Sequence, residues 1–528
     1  MNALFLSRVR FSVGILHKLA QRLLPALSLT LAGCASQALD RAPDNAVQPW
    51  QPSTEVGASE RMPSLTAAKN SEPSYAVPKV PLPTAWQPED TTTTLIDPTQ
   101  SYDLLGLIDL AQRQNPHTRM AWNRAREAAL AVGMAEATFL PILSANVVGG
   151  VQRVSTPAPL AGLIGPDRLS ATARGAIPFL SLSWLLFDFG GRAAVVEAAE
   201  QASFAANVLF NASHQKLIRD VTDFYYQYDA ARQNLLLQEQ ALQHQQEILQ
   251  AAEARWQAEL GTKIELALAK QGVAQAKLHL VNAQGMVRNT YLSLLSALGL
   301  PATTRLQVAD APPVPLPAPA EALTEQRIHE ALSGRADLVA AYAAVKAADA
   351  GVQAAEAQFY PKVYLGAAMG KHHSRFSTSS LPLPELQHQS AATGVMIGVH
   401  LPLFDGGLRR AAVQQAELKR TQSQDTLQQL HYDALREVVA AETVLNSALE
   451  AYQAASELVV TADTAYQGAY EAFKQGVGTI TVVHETANGV LVAQRAQSDS
   501  YHAARVAAAN LAFVMGDMTR AQTNWLPN

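Results

Sequence analysis

The stretch Leu403–Gly407 reads Leu-Phe-Asp-Gly-Gly, and a counterpart, Phe187–Gly191, reads Phe-Asp-Phe-Gly-Gly. Each stretch ends in two glycines, and we match Gly190 with Gly406 and Gly191 with Gly407. Each stretch follows alternating apolar and polar residues, the pattern of a β-strand, and precedes a long segment without proline. Glycine provides the backbone freedom that a sharp turn between a strand and a helix needs. We therefore interpret both stretches as hairpin exits, formed by Asp188, Gly190, Gly191, Asp405, Gly406 and Gly407.

Other landmarks recur in the same order at nearly the same spacing. Four ordered landmarks at almost constant offset indicate an internal duplication, with repeats at 101–300 and 323–520 joined by a Pro-rich, extended linker at 301–322. The three further pairs are Phe139–Pro141 with Phe359–Pro361, Gly261–Thr262 with Gly478–Thr479, and Leu298–Gly299 with Met515–Gly516.

Each repeat is predicted to contain a leading helix, a β-hairpin, a long helix and a return helix. The strands are predicted from alternation, as in Val395, Ile397 and Val399, and the helices from long runs of strong helix formers. The predicted bounds are 103–138, 142–187, 192–258 and 264–298 in the first repeat, and 324–358, 362–404, 408–475 and 481–515 in the second.

The predicted lengths indicate how these elements pack. The long helix predicted over 192–258 is about 100 Å long at 1.5 Å per residue. A leading and a return helix, stacked end to end, have nearly the same total length and are expected to lie along it. The predicted fold class is therefore α+β, with a long coiled-coil-like helical part and strand hairpins at one end. Four strands are too few to close a β-barrel, for which about eight is the practical minimum, so several chains would have to combine.

Composition excludes several classes of protein. The chain is 48% hydrophobic and 16% charged, too apolar for a disordered protein, and its net charge of −5 does not favour nucleic acid. Outside the N-terminus there is no apolar run of about 18 residues, so strands would have to make any membrane crossing. No catalytic nucleophile with an adjacent base is recognisable, so no enzyme is predicted and no cofactor is expected.

The N-terminus resembles a bacterial lipoprotein signal. Leu31–Cys34 reads Leu-Ala-Gly-Cys after basic residues and a short apolar stretch, which implies that residues 1–33 are a signal peptide and that Cys34 is lipidated. Ala35 replaces the aspartate that retains such proteins at the inner membrane, so the resemblance points to the outer membrane. The alternative is an ordinary signal peptide with an incidental cysteine. Residues 34–100 contain ten prolines from Pro43 to Pro98 and are predicted to be an extended tether.

The duplicated hairpin, the Leu-Phe-Asp-Gly-Gly exit and the long helix ending at Gly-Thr together resemble the outer-membrane efflux factors, the TolC-like proteins, in their lipoprotein branch. The resemblance covers residues 100–520. It implies a homotrimer with a 12-stranded β-barrel in the outer membrane and an α-helical tunnel in the periplasm. It also implies two partners, a periplasmic adaptor protein and an inner-membrane pump that supplies the energy. The rival hypothesis is a lipid-anchored periplasmic coiled-coil scaffold without a pore. The exported substrate, whether drug, metal ion, other small solute or peptide, is left open.

In that family the periplasmic tip closes near the helix turns, which here contain Gly261, Gly476 and Gly478. The resemblance assigns Glu265, and Glu485 with Val482, to the aperture. The alternative for both glutamates is a solvated helix face. Gly478 replaces a basic residue found in some relatives, and Phe473 replaces a tyrosine, so the locking contacts are not predicted.

One predicted loop contains three histidines, which have two interpretations. They are His372, His373 and His388. They are candidate metal ligands or parts of a solvated polar loop, and the loop is preferred because no further ligand has suitable spacing. No metal site is therefore predicted.

Overall fold

The computed structural model describes residues 38–50, 100–157, 168–318, 324–378, 386–516 and 518. The first repeat contains α1 (Leu104–Gln114), α2 (Pro116–Ala137), β2 (Ile142–Pro157), β3 (Arg168–Phe187), α3 (Gly191–Gln257) and α4 (Lys263–Leu298). The second contains α5 (Glu325–Gly334), α6 (Ala336–Glu356), β5 (Lys362–Thr378), β6 (Leu386–His400), α7 (Leu408–Lys474) and α8 (Ile480–Val514). Two short strands, β1 (Ser101–Tyr102) and β4 (Gln307–Val308), complete the order.

The two long helices, α3 and α7, have 67 residues each. Both are rich in Ala, Gln, Glu and Leu and contain no proline, so no residue interrupts the backbone hydrogen bonds. In the described part of the chain, no helix combines the length and apolarity needed to cross a membrane.

The chain divides into two compact units. The strand unit comprises Met1–Ala42, Ala125–Ala206 and Ala341–Leu427. The helix unit comprises Pro43–Arg124, Asn207–Ala340 and Gln428–Asn528.

The strand unit contains an antiparallel sheet in the order β2-β3-β5-β6. Because successive side chains of a strand point to opposite faces, the pairing assigns every residue to one of two faces. We call the first the apolar face; towards the helix ends of the strands it carries Leu143, Val147, Leu180, Leu182, Leu365, Met369, Val395 and Ile397. The second, the small-residue face, carries Ser144, Asn146, Ser181, Ser183, Gly366, Gly370, Gly394 and Gly398.

The hairpin exits depend on an aspartate and an arginine as well as on glycine. Asp188 Oδ2 accepts from the backbone N–H of Arg192 at 2.8 Å, and Asp405 Oδ2 accepts from that of Arg409 at 3.2 Å. Each arginine returns an Nε–H to the same carboxylate, at 3.3 Å and 2.6 Å. These contacts hold the first turns of α3 and α7 in place.

This geometry corrects the pairing of the exit glycines. We call the alignment that matches Asp188 with Asp405, and Arg192 with Arg409, the repeat register. In the repeat register Gly190 matches Gly407, and both have positive φ, 89° and 92°. Phe189 then matches Gly406, with φ of 54° and 67°. Gly191 lacks a positive φ; a Cβ there would lie 3.2 Å from Ala357 Cβ, so close packing explains the glycine.

In the helix unit, the predicted linker is part of the core. β4 pairs in parallel with β1, and Tyr102 O accepts from the N–H of Ala309 at 2.9 Å. Leu300 and Leu306 are buried together with side chains of α1, α3 and α4. Two-residue strands have no detectable periodicity, which is why the sequence predicts only an extended linker here.

A buried polar cluster joins α3, α8 and this linker. Asp229 of α3 and His502 and Arg505 of α8 are all buried, with exposed fractions of 5%, 6% and 5%. His502 Nε2 lies 3.0 Å from Asp229 Oδ2 and its Nδ1 lies 2.7 Å from Ser498 O. Arg505 donates to Pro312 O at 3.1 Å and to the Tyr226 hydroxyl at 3.0 Å. Burial also raises the pKa of Tyr226, so this phenol stays neutral.

The predicted leading helices, 103–138 and 324–358, are wrong as single helices. Each is broken, at Asn115 (ψ 124°) and at Arg335 (ψ 123°), which are equivalent positions when Pro141 is matched with Pro361. Pro116 explains the first break, because the residue before a proline avoids helical geometry. At the second, Arg335 donates to Asp337, Glu437 and Val514 O, contacts that hold the non-helical conformation without a proline.

The N-terminal tether is not extended throughout. Within the strand unit, Ala38 and Ala42 are buried and Arg41 pairs with Glu136 at 2.9 Å. Within the helix unit, the backbone of Trp50 donates to and accepts from the Asn211 side chain, at 2.6 Å and 2.8 Å. Apolar and charged residues between the prolines thus pack part of this segment against the folded protein. Cys34, the whole predicted signal peptide, most of the predicted tether and the tips of both hairpins lie outside the described residues.

Candidate functional site at the helix turns

The turns that follow α3 and α7 have the same backbone path. Glu259 in the first and Gly476 in the second have positive φ, 60° and 81°, and match each other in the repeat register. Two positions later, a Cβ on Gly261 would lie 3.1 Å from Trp256 N, and one on Gly478 would lie 2.9 Å from Phe473 N. Close backbone approach therefore requires glycine at 261 and 478, whereas the left-handed conformation at 476 favours glycine but is adopted by Glu259 in the first turn.

Glu265 takes part in capping the N-terminus of α4. Thr262 Oγ1 accepts from the N–H of Glu265 at 3.1 Å, and the Glu265 carboxylate accepts from the N–H of Thr262 at 2.7 Å. This reciprocal pair is a capping box. The carboxylate therefore has a structural role besides any role in an aperture. Thr479, the counterpart of Thr262, makes no side-chain cap.

The other two residues predicted for the aperture lie in the first turns of α8. Val482 is 47% exposed and Glu485 is also exposed. Val482 is the position that corresponds to Glu265 in the repeat register.

Arg255 joins the two turns, and sequence reasoning missed it. Its guanidinium donates to Phe473 O at 3.0 Å and to Leu260 O at 3.3 Å. It also lies 5.0 Å from the centre of the Phe473 ring. Arg255 lies in the last turn of α3, where a cation can interact with unpaired backbone carbonyls, and this position was the signal in the sequence that could have identified it. Its partner belongs to the other helix pair, far along the chain, and gives no local pattern.

Phe473 belongs to the core beneath the turns. Its side chain is fully buried with Ile248 of α3, Tyr466 of α7 and Ile480 of α8. Burial raises the pKa of Tyr466 to about 12, so this hydroxyl stays protonated. Phe473 therefore anchors the second turn instead of lining a passage.

A cavity of about 350 Å³ with both polar and apolar walls lies between α3, α4 and α8, next to this core. Its walls include His244, His279, His484 and Gln245. Gly272 makes room for it, because a Cβ there would lie 2.4 Å from Gln245 Oε1 and 2.6 Å from the His484 ring. Burial lowers the pKa of His484, so the ring is neutral near pH 7.

The histidines of β5 and β6 do not converge. His372 and His388 share the small-residue face, with ring centres 6.4 Å apart, whereas His373 lies on the apolar face. Within the described residues, no group of three or more His, Cys, Asp or Glu side chains is arranged to hold a metal ion.

Comparison with known proteins identifies the family. The model of the outer membrane efflux proteins matches residues 107–300 and 327–517, both repeats of the chain. The chain belongs to the outer membrane efflux protein family. CyaE of Bordetella pertussis is 27% identical over 75% of this chain and 78% of its own length. The pyoverdine export outer membrane protein OpmQ of Pseudomonas putida is 26% identical, over 82% and 92%. The outer-membrane channel OprN has the same fold, with a TM-score of 0.66 and 20% identity over 86% and 99%.

The family confirms the resemblance seen in the sequence. This outer membrane efflux protein is the outer-membrane component of an export system and extends into the periplasm.

Proposed function

We propose that three copies of this chain form a passive export duct, with a closed 12-stranded barrel in the outer membrane and a helical tunnel in the periplasm. The observation that carries the proposal is the four-stranded sheet. In the described residues β2 and β6 are its edges, and unpaired edges are not tolerated in lipid. Three such sheets together supply enough strands to close a barrel with a water-filled interior.

The two faces of the sheet support a barrel with the apolar face towards lipid and the small-residue face towards the interior. On the apolar face Val395 is 76% exposed, Ile397 70% and Val147 74%. The opposite face carries glycine, serine and asparagine, which suit an aqueous interior, and it has fewer large apolar side chains, among them Ile142, Val148 and Met396. A water-soluble scaffold would not leave so large an apolar surface uncovered, so the scaffold hypothesis is disfavoured.

The proposed partners are a periplasmic adaptor and an inner-membrane pump. The helix turns offer a docking surface, since Leu260 and Val477, which correspond in the repeat register, are 73% and 82% exposed. Apolar side chains this exposed at the end of a helix pair are suited to contact with another protein. The lipid proposed on Cys34 would hold the same chain at the membrane.

Oligomeric state and conductance test the duct. Protein purified in detergent is expected to have the mass of a trimer and to form ion-conducting channels in a planar bilayer. The mass is measured by light scattering with the detergent contribution subtracted. A monomer that stays soluble after removal of the lipid, or a trimer that never conducts, would refute the duct and favour the scaffold.

For the aperture, we propose that Glu265 and Glu485 of three protomers form acidic rings that favour cations. The double variant Glu265→Gln/Glu485→Gln is expected to lose several-fold in cation over anion selectivity. Glutamine at 265 retains an acceptor for the Thr262 N–H, so the capping box is kept while the charge is removed. Selectivity is measured from the reversal potential in a salt gradient. Glu450→Gln/Glu457→Gln, on α7 and outside the turns, is the matched control. An unchanged reversal potential in the first variant would assign both glutamates to a solvated face.

A further inference from the structure

The four strands of the sheet contain basic residues but no acidic ones. The whole chain has a net charge of −5, but the strand segments 142–157, 168–187, 362–378 and 386–400 contain no aspartate or glutamate. The same segments contain six basic residues, Arg153, Arg168, Arg174, Lys362, Lys371 and Arg375. No carboxylate within these strands can neutralise them.

The register gathers the basic side chains on one face. Arg174 of β3 pairs directly with Arg375 of β5, and the same row continues to Val151 of β2. Lys371 and His373 lie four and two positions along β5 from Arg375, on the same face because side chains alternate. This is the apolar face, at its end away from the helices, and all four side chains are exposed. We call Arg174, Lys371, His373 and Arg375 the basic row.

The basic row lies where an apolar band would end. On β2 the apolar face runs from Leu143 to Val151, a distance of about 26 Å along the strand. The strands of a membrane barrel tilt by about 35–45°, so this stretch covers about 20 Å of an apolar band that is about 25 Å tall. At the level of Val151 the apolar face carries Gln387 opposite Arg375, and Gln389 lies opposite His373 one same-face position nearer the helices. Arg174 and Arg375 therefore mark the boundary between hydrocarbon and headgroups, while His373 and Lys371, level with Gly149 and Val147, lie on the apolar side of it.

The side of the membrane follows from the helices. Helix α3 begins immediately after the exit turn that ends β3, at the end of the sheet opposite the basic row. Because the helices extend into the periplasm, the basic row is at the outer leaflet.

Two arginines directly opposite each other on one face repel, and an anion between them would offset this. Phosphate suits the position, because guanidinium groups bind its oxygens in pairs. A free phosphate ion would use only the charge, whereas a phosphorylated lipid would also place its acyl chains on the apolar residues beneath. We propose that the basic row binds the phosphate groups of outer-leaflet lipid. The inference rests on the proposed barrel and its orientation.

The test uses the full-length protein in phosphatidylcholine nanodiscs, titrated with bisphosphorylated lipid A, with bound lipid measured by native mass spectrometry. Each basic side chain beside an anionic lipid surface contributes roughly fivefold in affinity, so Arg174→Gln/Arg375→Gln is expected to bind about 25-fold more weakly. Arg410→Gln/Lys419→Gln, which removes two exposed charges from α7, is expected to bind like the wild type. Circular dichroism and trimer mass verify that both variants fold.

Three results would overturn the inference. The first is equal affinity of the Arg174→Gln/Arg375→Gln variant and the wild type, and the second is an equal loss of affinity in the α7 control. The third is displacement of the lipid by millimolar inorganic phosphate, which would indicate a general anion site. The wild-type conductance separates this failure from that of the duct. A conducting trimer that binds lipid A no better than phosphatidylcholine refutes only the lipid site, whereas absence of insertion and conductance refutes the duct as well.

Discussion

Replacing Asp229 by alanine is expected to lower the free energy of unfolding by about 3–5 kcal/mol. The side chains of His502 and Asp229 are 8% and 7% exposed and lie 3.0 Å apart. Removal of the carboxylate leaves the buried imidazole nitrogen without its partner, and it also removes an acceptor of the Ala311 N–H. The loss is measured by denaturant-induced unfolding of the detergent-solubilised protein, followed by its helical circular dichroism.

Two further variants identify the cause of this loss. Asp220→Asn disrupts an ion pair with Lys216 on the same helix, and the exposure of these side chains, 28% and 61%, limits its expected cost to about 0–1 kcal/mol. Asp229→Leu/His502→Leu removes both polar partners together and is expected to cost less than Asp229→Ala alone. If Asp229→Ala costs no more than Asp220→Asn, the buried pair does not stabilise the linker against α3 and α8.

Replacing Arg255 by glutamine is expected to increase the open probability of the channel about tenfold or more. We infer that the tip of the proposed duct opens by separating α3 and α4, which meet at the first turn, from α7 and α8, which meet at the second. The Arg255 contact with Phe473 O joins these pairs and must then break. A hydrogen bond to a charged group contributes about 1.5–3 kcal/mol, and about 1.4 kcal/mol is a factor of ten in an equilibrium. Single-channel recording in a planar bilayer measures the open probability.

Lys474→Gln is the matched control, since it removes a cation from the same region. Lys474 pairs with Glu471 on its own helix, and both side chains are about half exposed. The contacts described for Lys474, with Glu471 and the Tyr470 ring, both lie on α7, so the open probability of the Lys474→Gln variant is expected to equal that of the wild type. Equal behaviour of Arg255→Gln and Lys474→Gln would show that Arg255 does not hold the tip closed.

Local patterns in the sequence predicted most of the parts of the fold that local physics determines, but the break at Asn115 was missed although Pro116 is its local cause. Long runs without a breaker predicted α3 and α7, and alternation predicted strands. The duplication and the family resemblance followed from ordered landmarks. The break at Arg335 was not predicted, because its cause is hydrogen bonding to Glu437, which is distant in the chain.

The candidate site was predictable only in its glycines. Gly261 and Gly478 are required by the backbone path, and such a requirement is visible in the sequence. The contact between Arg255 and Phe473 O depends on how two helix pairs meet, and the sequence around either residue does not encode it. Glu265 was predicted as an aperture residue, and the structure adds its capping box, which the Thr-x-x-Glu spacing could have indicated.

The Arg255 contact shows that the two halves of the chain are no longer interchangeable. In the repeat register the counterpart of Arg255 is Ala472, which has no group to reach back to the first turn. An ancestor built from identical halves would have carried either two such reciprocal contacts or none. The described part of the present chain has one, directed from the first half to the second, so giving the first turn the alanine of the second would remove it although both turns keep the same backbone path.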